Sequence, residues 1–182
     1  PPRSTLFPYT TLFRSRIAKA CQLLDEGCEI YPNDFVKADS LPDILALYSS
    51  ADETALAALG RDFVVAGRMV SLRSFGKVTF FNLQDASERL QCFASREDMG
   101  AEAYTRFKKF DIGDIVGVTG TLFRTKTGEL TLHCSEIRLL SKSFRPLPEK
   151  YHGLKDVETR YRQRYVDLIV TPKTSEIFRK RT

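Results

Sequence analysis

The chain has 182 residues, of which 42% are hydrophobic, and 28 Lys and Arg against 23 Asp and Glu give it a net charge of +5. This composition excludes a disordered tail, and the length suits one domain with a smaller second part. The sequence predicts neither a membrane span nor a secretory signal, because its apolar runs are short. Its four cysteines form no C-x-x-C pair, which favours a reducing cytoplasm over a disulfide scaffold.

The charge is distributed unevenly along the chain. Residues 16–60 carry three bases and eight acids, whereas residues 61–147 carry fourteen bases and ten acids. Residues 148–182 carry nine bases and five acids. A basic excess of this size favours a polyanionic partner such as nucleic acid, although many soluble domains carry as much.

The first part of the chain divides into two segments. Residues 1–15 (PPRSTLFPYTTLFRS) follow neither helical nor strand periodicity. They resemble the in-frame translation of a sequencing adapter, and we interpret them as a non-native scar outside the fold. Residues 16–60 are predicted to form a helical N-terminal extension, because apolar residues recur there at helical spacing.

Helices are predicted in this extension from apolar spacing and end signals. The first covers Arg16–Glu26 and stops at Gly27. The second follows Ser40, which can cap it, with Pro42 in its first turn. Ala51–Leu59 is predicted to continue the helical structure, which ends at Gly60. The side chains expected to pack inward from the first two helices are Ile17, Ala20, Leu23, Leu24, Ile44, Leu45 and Leu47.

From Arg61 onward the pattern changes to short strands, and Gly67 is predicted to bulge or bend the first of them. The five predicted strands are Phe63–Leu72, Lys77–Leu83, Arg89–Ala94, Asp114–Arg124 and Glu129–Leu140. A helix is predicted after the third strand, over Glu97–Phe110. Three strands, a helix and two strands is the order of the OB-fold, a five-stranded Greek-key barrel. Residues 61–147 are therefore predicted to form this mainly β fold, whose second and third strands often bind single-stranded nucleic acid.

The predicted second and third strands carry the residue types that bind unpaired RNA. Phe80 and Phe81 are adjacent, so one faces the core and the other faces outward, where a base could stack on it unless a loop covers it. Gln91 can donate and accept hydrogen bonds, and Glu129 can accept one from a base N–H. The basic candidates for phosphate or base contacts, with a solvated rim as the alternative, are Arg68, Arg73 and Lys77.

No catalytic centre is predicted in this chain. His133 and Cys134 are adjacent in a strand and face opposite ways, so together with His152 they lack a metal-ligand spacing. The sequence contains no glycine-rich phosphate loop and no Ser-His-Asp arrangement. The acidic residues interpreted as helix-end and turn residues are Glu97, Asp98, Asp111 and Asp114. We therefore expect no metal and no cofactor in this chain.

Four segments carry motifs that are more specific than composition. Arg145–Leu168 reads RPLPEKYHGLKDVETRYRQRYVDL, and Val65–Asp85 reads VAGRMVSLRSFGKVTFFNLQD. Asp111–Leu130 reads DIGDIVGVTGTLFRTKTGEL, and a weaker motif, IYPNDF, occupies Ile30–Phe35. Together they resemble the class II lysyl-tRNA synthetases, and the first segment resembles the hinge of that family. Aspartyl and asparaginyl relatives share only the RYRxRY-DL core of this hinge.

The resemblance implies roles for individual residues, because members of this family carry an N-terminal OB-fold that binds the tRNA anticodon. Phe80 matches the ring that stacks on the central uridine of the anticodon. Arg73 and Gln91 match the side chains that hydrogen-bond this base. Glu129 matches the carboxylate that reads another anticodon uridine, and Phe81 is then the core-facing neighbour of Phe80.

The resemblance also implies what this chain lacks. In the family, later motifs bind ATP, lysine and magnesium, make lysyl-adenylate and charge the tRNA. Residues 148–182 would be the hinge and the truncated start of the catalytic domain, so we expect this fragment to be inactive. Family members are cytoplasmic homodimers, and the expected partner is the anticodon stem-loop of lysine tRNA, with no membrane involved.

Two alternatives stay open. One is a free-standing OB module that binds single-stranded nucleic acid and has no enzymatic parent. The other is an assembly role, in which the front helices and Thr174–Thr182 bind a protein partner. The hinge favours the interpretation as part of a synthetase, because a free-standing module has no use for a hinge. The arginines of the hinge, interpreted as salt-bridge partners between barrel and catalytic body rather than RNA contacts, are Arg160, Arg162 and Arg164.

Overall fold

The computed structural model describes residues 7–85, 88–147 and 156–181. The chain divides into two compact units, the first ending at Phe144 and the second beginning at Arg145. Parts of three predicted segments lie outside the described residues. These parts are residues 1–6 of the scar, 86–87 of the turn that the sequence predicts over Gln84–Glu88, and 148–155 and 182 of the segment 148–182.

The first unit contains a closed barrel with the strand order β1-β2-β3-β5-β4. The strands are β1 (Phe63–Phe75), β2 (Val78–Asp85), β3 (Glu88–Ser95), β4 (Ile115–Arg124) and β5 (Leu130–Ser141). β3 and β5 pair in parallel, and the other neighbouring strands pair antiparallel. This arrangement confirms the predicted OB-fold.

The barrel interior is filled by alternate residues of each strand, because successive side chains of a strand face opposite ways. On β2, Phe81 and Leu83 are 1% and 0% exposed, whereas Phe80 and Asn82 are only partly buried. Other core residues are Phe63, Val65, Met69, Leu90, Cys92, Val116, Val118, Leu122, Leu132 and Cys134. Burial of a large apolar side chain contributes about 1.5–3 kcal/mol, so this core fixes the wall that carries the outward residues.

The irregularity of β1 lies at a different residue from the predicted one. The register between β1 and β2 shifts between Met69 and Ser71, which places the bulge there. Gly67 instead pairs regularly with Val116 of β4. A Cβ on Gly67 would lie 2.9 Å from the Gln84 carbonyl oxygen. Of the bulge or bend predicted at Gly67, the bulge is therefore wrong and the bend stays a prediction. This glycine permits a close approach of two strands.

The first helix, α1 (Phe7–Asp25), begins before the predicted start at Arg16. Residues 11–15 are exposed, so they add helical turns without adding to the core. A helix can extend over such residues because propagation from an existing turn is easier than nucleation. The structure therefore differs from the expectation that residues 1–15 carry no helix.

The buried face of α1 is narrower than predicted. Ala20 and Leu23 are 3% and 0% exposed, but Ile17 and Leu24 are 38% and 51% exposed. Arg16 occupies the buried side instead, and its guanidinium donates a hydrogen bond of 2.8 Å to a backbone carbonyl oxygen. The expectation that Ile17 and Leu24 pack inward is wrong, because a buried arginine anchors the helix in another rotation.

Two short helices follow, α2 (Leu41–Tyr48) and α3 (Glu53–Ala58). Ser40 caps α2 as predicted, with its hydroxyl accepting a backbone N–H of the first turn. Ile44 is buried in the core as predicted. Leu47 is 68% exposed, which contradicts the prediction that it packs inward, because the short helix turns it to the solvent side.

The helix between β3 and β4 is broken, whereas the sequence predicted one helix over Glu97–Phe110. It consists of α4 (Arg96–Met99) and α5 (Ala101–Phe107). Gly100 separates them with a φ of 83°, a conformation that glycine adopts without steric cost. The break lets α5 bury Tyr104, whose hydroxyl lies 2.8 Å from that of a buried threonine on β2.

The second unit contains three helices: α6 (Val157–Arg162), α7 (Arg164–Val170) and α8 (Pro172–Arg181). Asp167 is fully buried, and Arg160 and Arg164 donate to its two carboxylate oxygens at 3.1 and 2.8 Å. These two arginines therefore form salt bridges inside their own unit. Among the helices of the described ranges, none combines the length and the apolar character needed to cross a bilayer.

Candidate nucleic-acid interface

A groove of about 620 Å³ opens on the outer wall of the barrel, beside the turn between β4 and β5. Four of the six predicted binding residues line it: Arg73, Phe80, Gln91 and Glu129. They come from β1, β2, β3 and the residue before β5. Barrel closure therefore brings together side chains that are far apart in sequence.

Phe80 lines one side of the groove. It lies between Arg73 on β1 and Phe93 on β3 in the strand register. Its ring centroid is 5.0 Å from that of Phe93 and 6.5 Å from that of Phe75. Because Phe81 fills the core, the ring of Phe80 faces outward and is only partly buried.

Two basic side chains line the groove without ion-pair partners among the described residues. Arg73 is exposed on β1 directly opposite Phe80. Lys126 is exposed in the β4–β5 turn. Their charges are therefore available to a ligand that carries phosphate groups.

Gln91 and Glu129 form a hydrogen-bonded pair on the wall of the groove. The Nε2 atom of Gln91 donates to the Oε2 atom of Glu129 at 2.8 Å. The hydroxyl of Thr131 donates to the Oε1 atom of Gln91 at 2.9 Å. Thr131 is 0% exposed, whereas Glu129 is exposed. The side-chain amide of Gln91 is therefore held in the groove by two partners, the buried hydroxyl of Thr131 and the exposed carboxylate of Glu129.

The turn that precedes Glu129 is tight. Gly128 has a φ of 82°, and its backbone N–H donates to the carbonyl oxygen of Thr125 at 2.8 Å. Arg124 braces the turn by donating to the carbonyl oxygen of Gly128 at 2.6 Å. The backbone N–H of Glu129 donates to the Thr125 hydroxyl at 3.1 Å. These bonds fix where the carboxylate enters the groove.

The aromatic surface continues beyond the groove. Phe93 contacts the rings of His133 and Phe123, with centroid distances of 5.4 and 6.1 Å. His133 Nε2 lies 2.9 Å from the Oδ2 atom of Asp98, and this hydrogen bond holds the pKa of Asp98 below its ordinary value. Asp98 thus supports a ring on the outer wall, in addition to the helix-end role predicted for it.

Residues 63–140 match the tRNA anticodon family, described as an OB-fold nucleic acid binding domain. The chain is 52% identical over 160 residues to the lysine–tRNA ligase of Burkholderia thailandensis, covering 88% of this chain and 31% of that protein. It is 52% identical over 167 residues to the lysine–tRNA ligase of Burkholderia pseudomallei K96243, with coverages of 92% and 33%. The chain is homologous to part of a lysine–tRNA ligase.

A third relative, the lysine–tRNA ligase of Burkholderia mallei SAVP1, is 53% identical over 160 residues. The match covers 88% of this chain and 31% of that ligase. The chain therefore spans about a third of the length of the lysine–tRNA ligases to which it is similar. The anticodon-family match covers the barrel from the start of β1 almost to the end of β5, so the groove lies inside the matched domain.

Two of the predicted binding residues do not line the groove of this ligase homologue. Arg68 donates to the carbonyl oxygen of Gly113 at 2.7 Å, and burial holds its pKa below the ordinary value although Asp114 opposes this shift. Lys77 is exposed at the turn between β1 and β2, outside the groove lining. Contacts of these two residues with nucleic acid stay predictions.

Sequence reasoning missed several residues of the groove. Lys126 and Phe75, which line it, were not singled out. Neither was Thr131, which lies outside the lining and hydrogen-bonds Gln91 from the buried side. Lys126 carried a usable signal, since it is a basic residue in a turn next to Glu129. Thr131 carried none, because its role depends on the parallel pairing of Gln91 with Thr131 across β3 and β5.

Metal binding finds no support in the described part of the chain. No group of three or more His, Cys, Asp or Glu side chains is placed there to hold a metal ion. Cys134 is buried, and burial raises the pKa of its thiol well above the ordinary value. This thiol is therefore protonated at neutral pH and suits a core position.

Proposed function

We propose that the groove binds the anticodon of lysine tRNA and that the chain is the anticodon-binding part of a lysine–tRNA ligase. The observation that carries this proposal is the outward ring of Phe80 beside Arg73, Gln91 and Glu129 in one groove. The homology with lysine–tRNA ligases supports the choice of lysine tRNA over other RNAs.

Each of these groove residues suits one part of an RNA segment that contains unpaired uridines. The ring of Phe80 offers a stacking surface, and stacking on an aromatic ring contributes about 1–3 kcal/mol per base. Arg73 and Gln91 hydrogen-bond the edge of the same base, since Arg donates and Gln both donates and accepts. Glu129 accepts the N3–H of a second uracil, and Lys126 neutralises a phosphate.

The carboxylate in the groove favours base reading over simple phosphate binding. Glu129 would repel a phosphate placed against it, so a groove that binds only the RNA backbone has no use for this residue. An uncharged base edge with an N–H donor gains from the same carboxylate. Glu129 beside Gln91 therefore supports recognition of a base edge rather than of the RNA backbone alone.

The remaining features of the parent enzyme belong to the same proposal. A class II lysine–tRNA ligase uses ATP and magnesium to activate lysine, works as a cytoplasmic homodimer and charges tRNA at a distant site. We assign residues 1–15 to a scar, 16–60 to a helical extension, 61–147 to the anticodon-binding barrel and 148–182 to the hinge and the start of the catalytic domain. This fragment binds tRNA without aminoacylating it.

Replacement of the stacking ring tests the proposal. Phe80→Ala should weaken the binding of a uridine-rich anticodon stem-loop by about 1–3 kcal/mol, because a stacked base loses its partner ring. The measurement is a fluorescence-anisotropy titration of a labelled RNA with the 182-residue chain. Equal binding by wild type and variant would remove Phe80 from the site.

A matched control uses the same substitution away from the groove. Phe13 lies on α1 and is 39% exposed, so Phe13→Ala should leave RNA binding unchanged. A stem-loop with a scrambled loop sequence completes the comparison. Equal affinity for both loops would favour a free-standing single-strand-binding module, and no affinity for either would favour the assembly role.

A further inference from the structure

The amide of Gln91 is held by two partners of opposite character. Its Nε2 atom donates to the Oε2 atom of Glu129 at 2.8 Å, and its Oε1 atom accepts from the Thr131 hydroxyl at 2.9 Å. An amide nitrogen has a second N–H, and an amide oxygen has a second lone pair. Gln91 therefore keeps one donor and one acceptor for a ligand, in positions that its two partners determine.

The two partners do not constrain the amide equally. If the amide turned over, its oxygen would face the Glu129 carboxylate, and two acceptors would repel each other. The hydroxyl of Thr131 could accept from the turned amide, because its own proton can go to the backbone carbonyl oxygen of Glu129 at 3.2 Å. Glu129 is therefore the main constraint, and Thr131 is a weaker one.

The direction of this amide decides which pyrimidine it fits. Uracil presents a donor at N3, which suits the Oε1 acceptor, and its neighbouring carbonyl oxygen accepts from Nε2. Cytosine presents an acceptor at N3 and a donor at the neighbouring amino group, which is the opposite pattern. An amide free to turn over could match either base, whereas a fixed amide matches only one.

We propose that Glu129 and Thr131 are positioning residues that hold the Gln91 amide in the orientation that accepts uracil and rejects cytosine. This inference rests on the proposed function, since it concerns how the same groove discriminates between bases. It adds to the direct reading of a second uridine by Glu129, because the bond to Gln91 uses Oε2 and leaves Oε1 available as an acceptor.

The test compares hairpin RNAs that carry three loop uridines with hairpins in which each uridine in turn is replaced by cytidine. Gln91→Ala first identifies the position that Gln91 reads, since the preference for uridine falls there. Glu129→Gln should then lower the preference at this same position by about tenfold, the factor that a charged hydrogen bond supplies. The amide that Glu129→Gln introduces can donate or accept, so it no longer opposes a reversal of the Gln91 amide.

Thr131 offers a matched pair of variants. Thr131→Val removes the hydroxyl at nearly constant volume and should lower the same preference by about threefold, the scale of a neutral hydrogen bond. Thr131→Ser keeps the hydroxyl and should retain the wild-type preference. Urea unfolding of each variant checks that the barrel is intact, and a loss of stability alone would weaken both hairpins equally.

The outcomes separate this inference from the proposed function. If the wild type shows no preference for uridine at any position, the proposed function fails and the inference fails with it. If the wild type prefers uridine but Glu129→Gln keeps the preference at the Gln91 position, only the inference fails. In the Gln91→Ala background, a further loss at this position on adding Glu129→Gln would also overturn it.

Discussion

Two adjacent phenylalanines on β2 have opposite environments. Phe81 is 1% exposed in the barrel core and packs on Phe107 with a centroid distance of 5.3 Å. Phe80 lies on the outer wall, in the groove. One residue therefore contributes mainly to folding, and its neighbour is available for a ligand, because a strand alternates its side chains between two faces.

This division predicts different effects of the same substitution on stability. Phe81→Ala should lower the free energy of unfolding by about 3–5 kcal/mol, since it leaves a cavity in a packed core. Phe80→Ala should cost clearly less, because its ring is partly solvated. Urea unfolding followed by circular dichroism measures both, and a larger loss for Phe80→Ala would contradict the placement of the two rings.

The sequence predicted part of this site from local rules alone. Alternation required one ring of the Phe80–Phe81 pair to face outward, but only the family resemblance said which. Gln91 and Glu129 could be proposed from their hydrogen-bonding groups. Thr131 could not, because its bond to Gln91 spans 40 residues and exists only after two strands pair in parallel.

At the level of elements, a cluster of charges joins the end of β5 to the segment before β4. Lys142 is 3% exposed and contacts the carboxylates of Asp114 and Asp111 at 2.7 and 2.5 Å. Lys19 of α1 reaches Asp111 at 2.6 Å. The sequence suggested only turn residues here, because nothing local reveals that α1, β4 and β5 meet. The cluster fixes α1 to the barrel.

The cluster predicts how stability depends on acid. Burial would raise the pKa of Asp111, but hydrogen bonds from Lys142 and Lys19 hold it below its ordinary value. Because this pKa is lower in the folded than in the unfolded chain, Asp111 stabilises the fold above a pH of about 4. That stabilisation is lost as the pH falls through the folded pKa.

Urea midpoints between neutral pH and pH ~3 measure this effect, since the unfolded carboxyl titrates near pH 4. Asp111→Asn should be less stable than wild type at neutral pH and should lose less stability on acidification. Asp62→Asn changes an exposed aspartate in the same way and should follow the wild-type curve. Parallel acid curves for wild type and Asp111→Asn would refute the role of the cluster.

At the level of the whole molecule, only a few of the basic residues that give the chain its positive charge line the groove. Arg68 donates to a backbone carbonyl oxygen, and Arg124 braces the β4–β5 turn. Arg73 and Lys126 line the groove with no ion-pair partner in the described ranges. Net charge therefore overstates the number of cations that the groove offers to a ligand, and the sequence alone could not separate structural from available cations.

The salt dependence of RNA binding tests this distinction. Lys126→Ala should reduce the slope of log affinity against log salt by about 0.7, the value for one phosphate contact on a single strand. Lys77→Ala is the matched substitution outside the groove and should change the slope less. Equal changes in slope for the two variants would show that the groove does not select the phosphate contacts.

The parallel pairing of β3 with β5 has a consequence for biosynthesis. Gln91 leaves the ribosome 40 residues before Thr131, the partner that fixes its amide from beneath. Until β5 has emerged, the nascent chain has neither a closed barrel nor a complete groove, although the groove-lining side chains of β1, β2 and β3 are already present. The groove is therefore completed late, when the last strand is added, and the base reading proposed for it would begin only then.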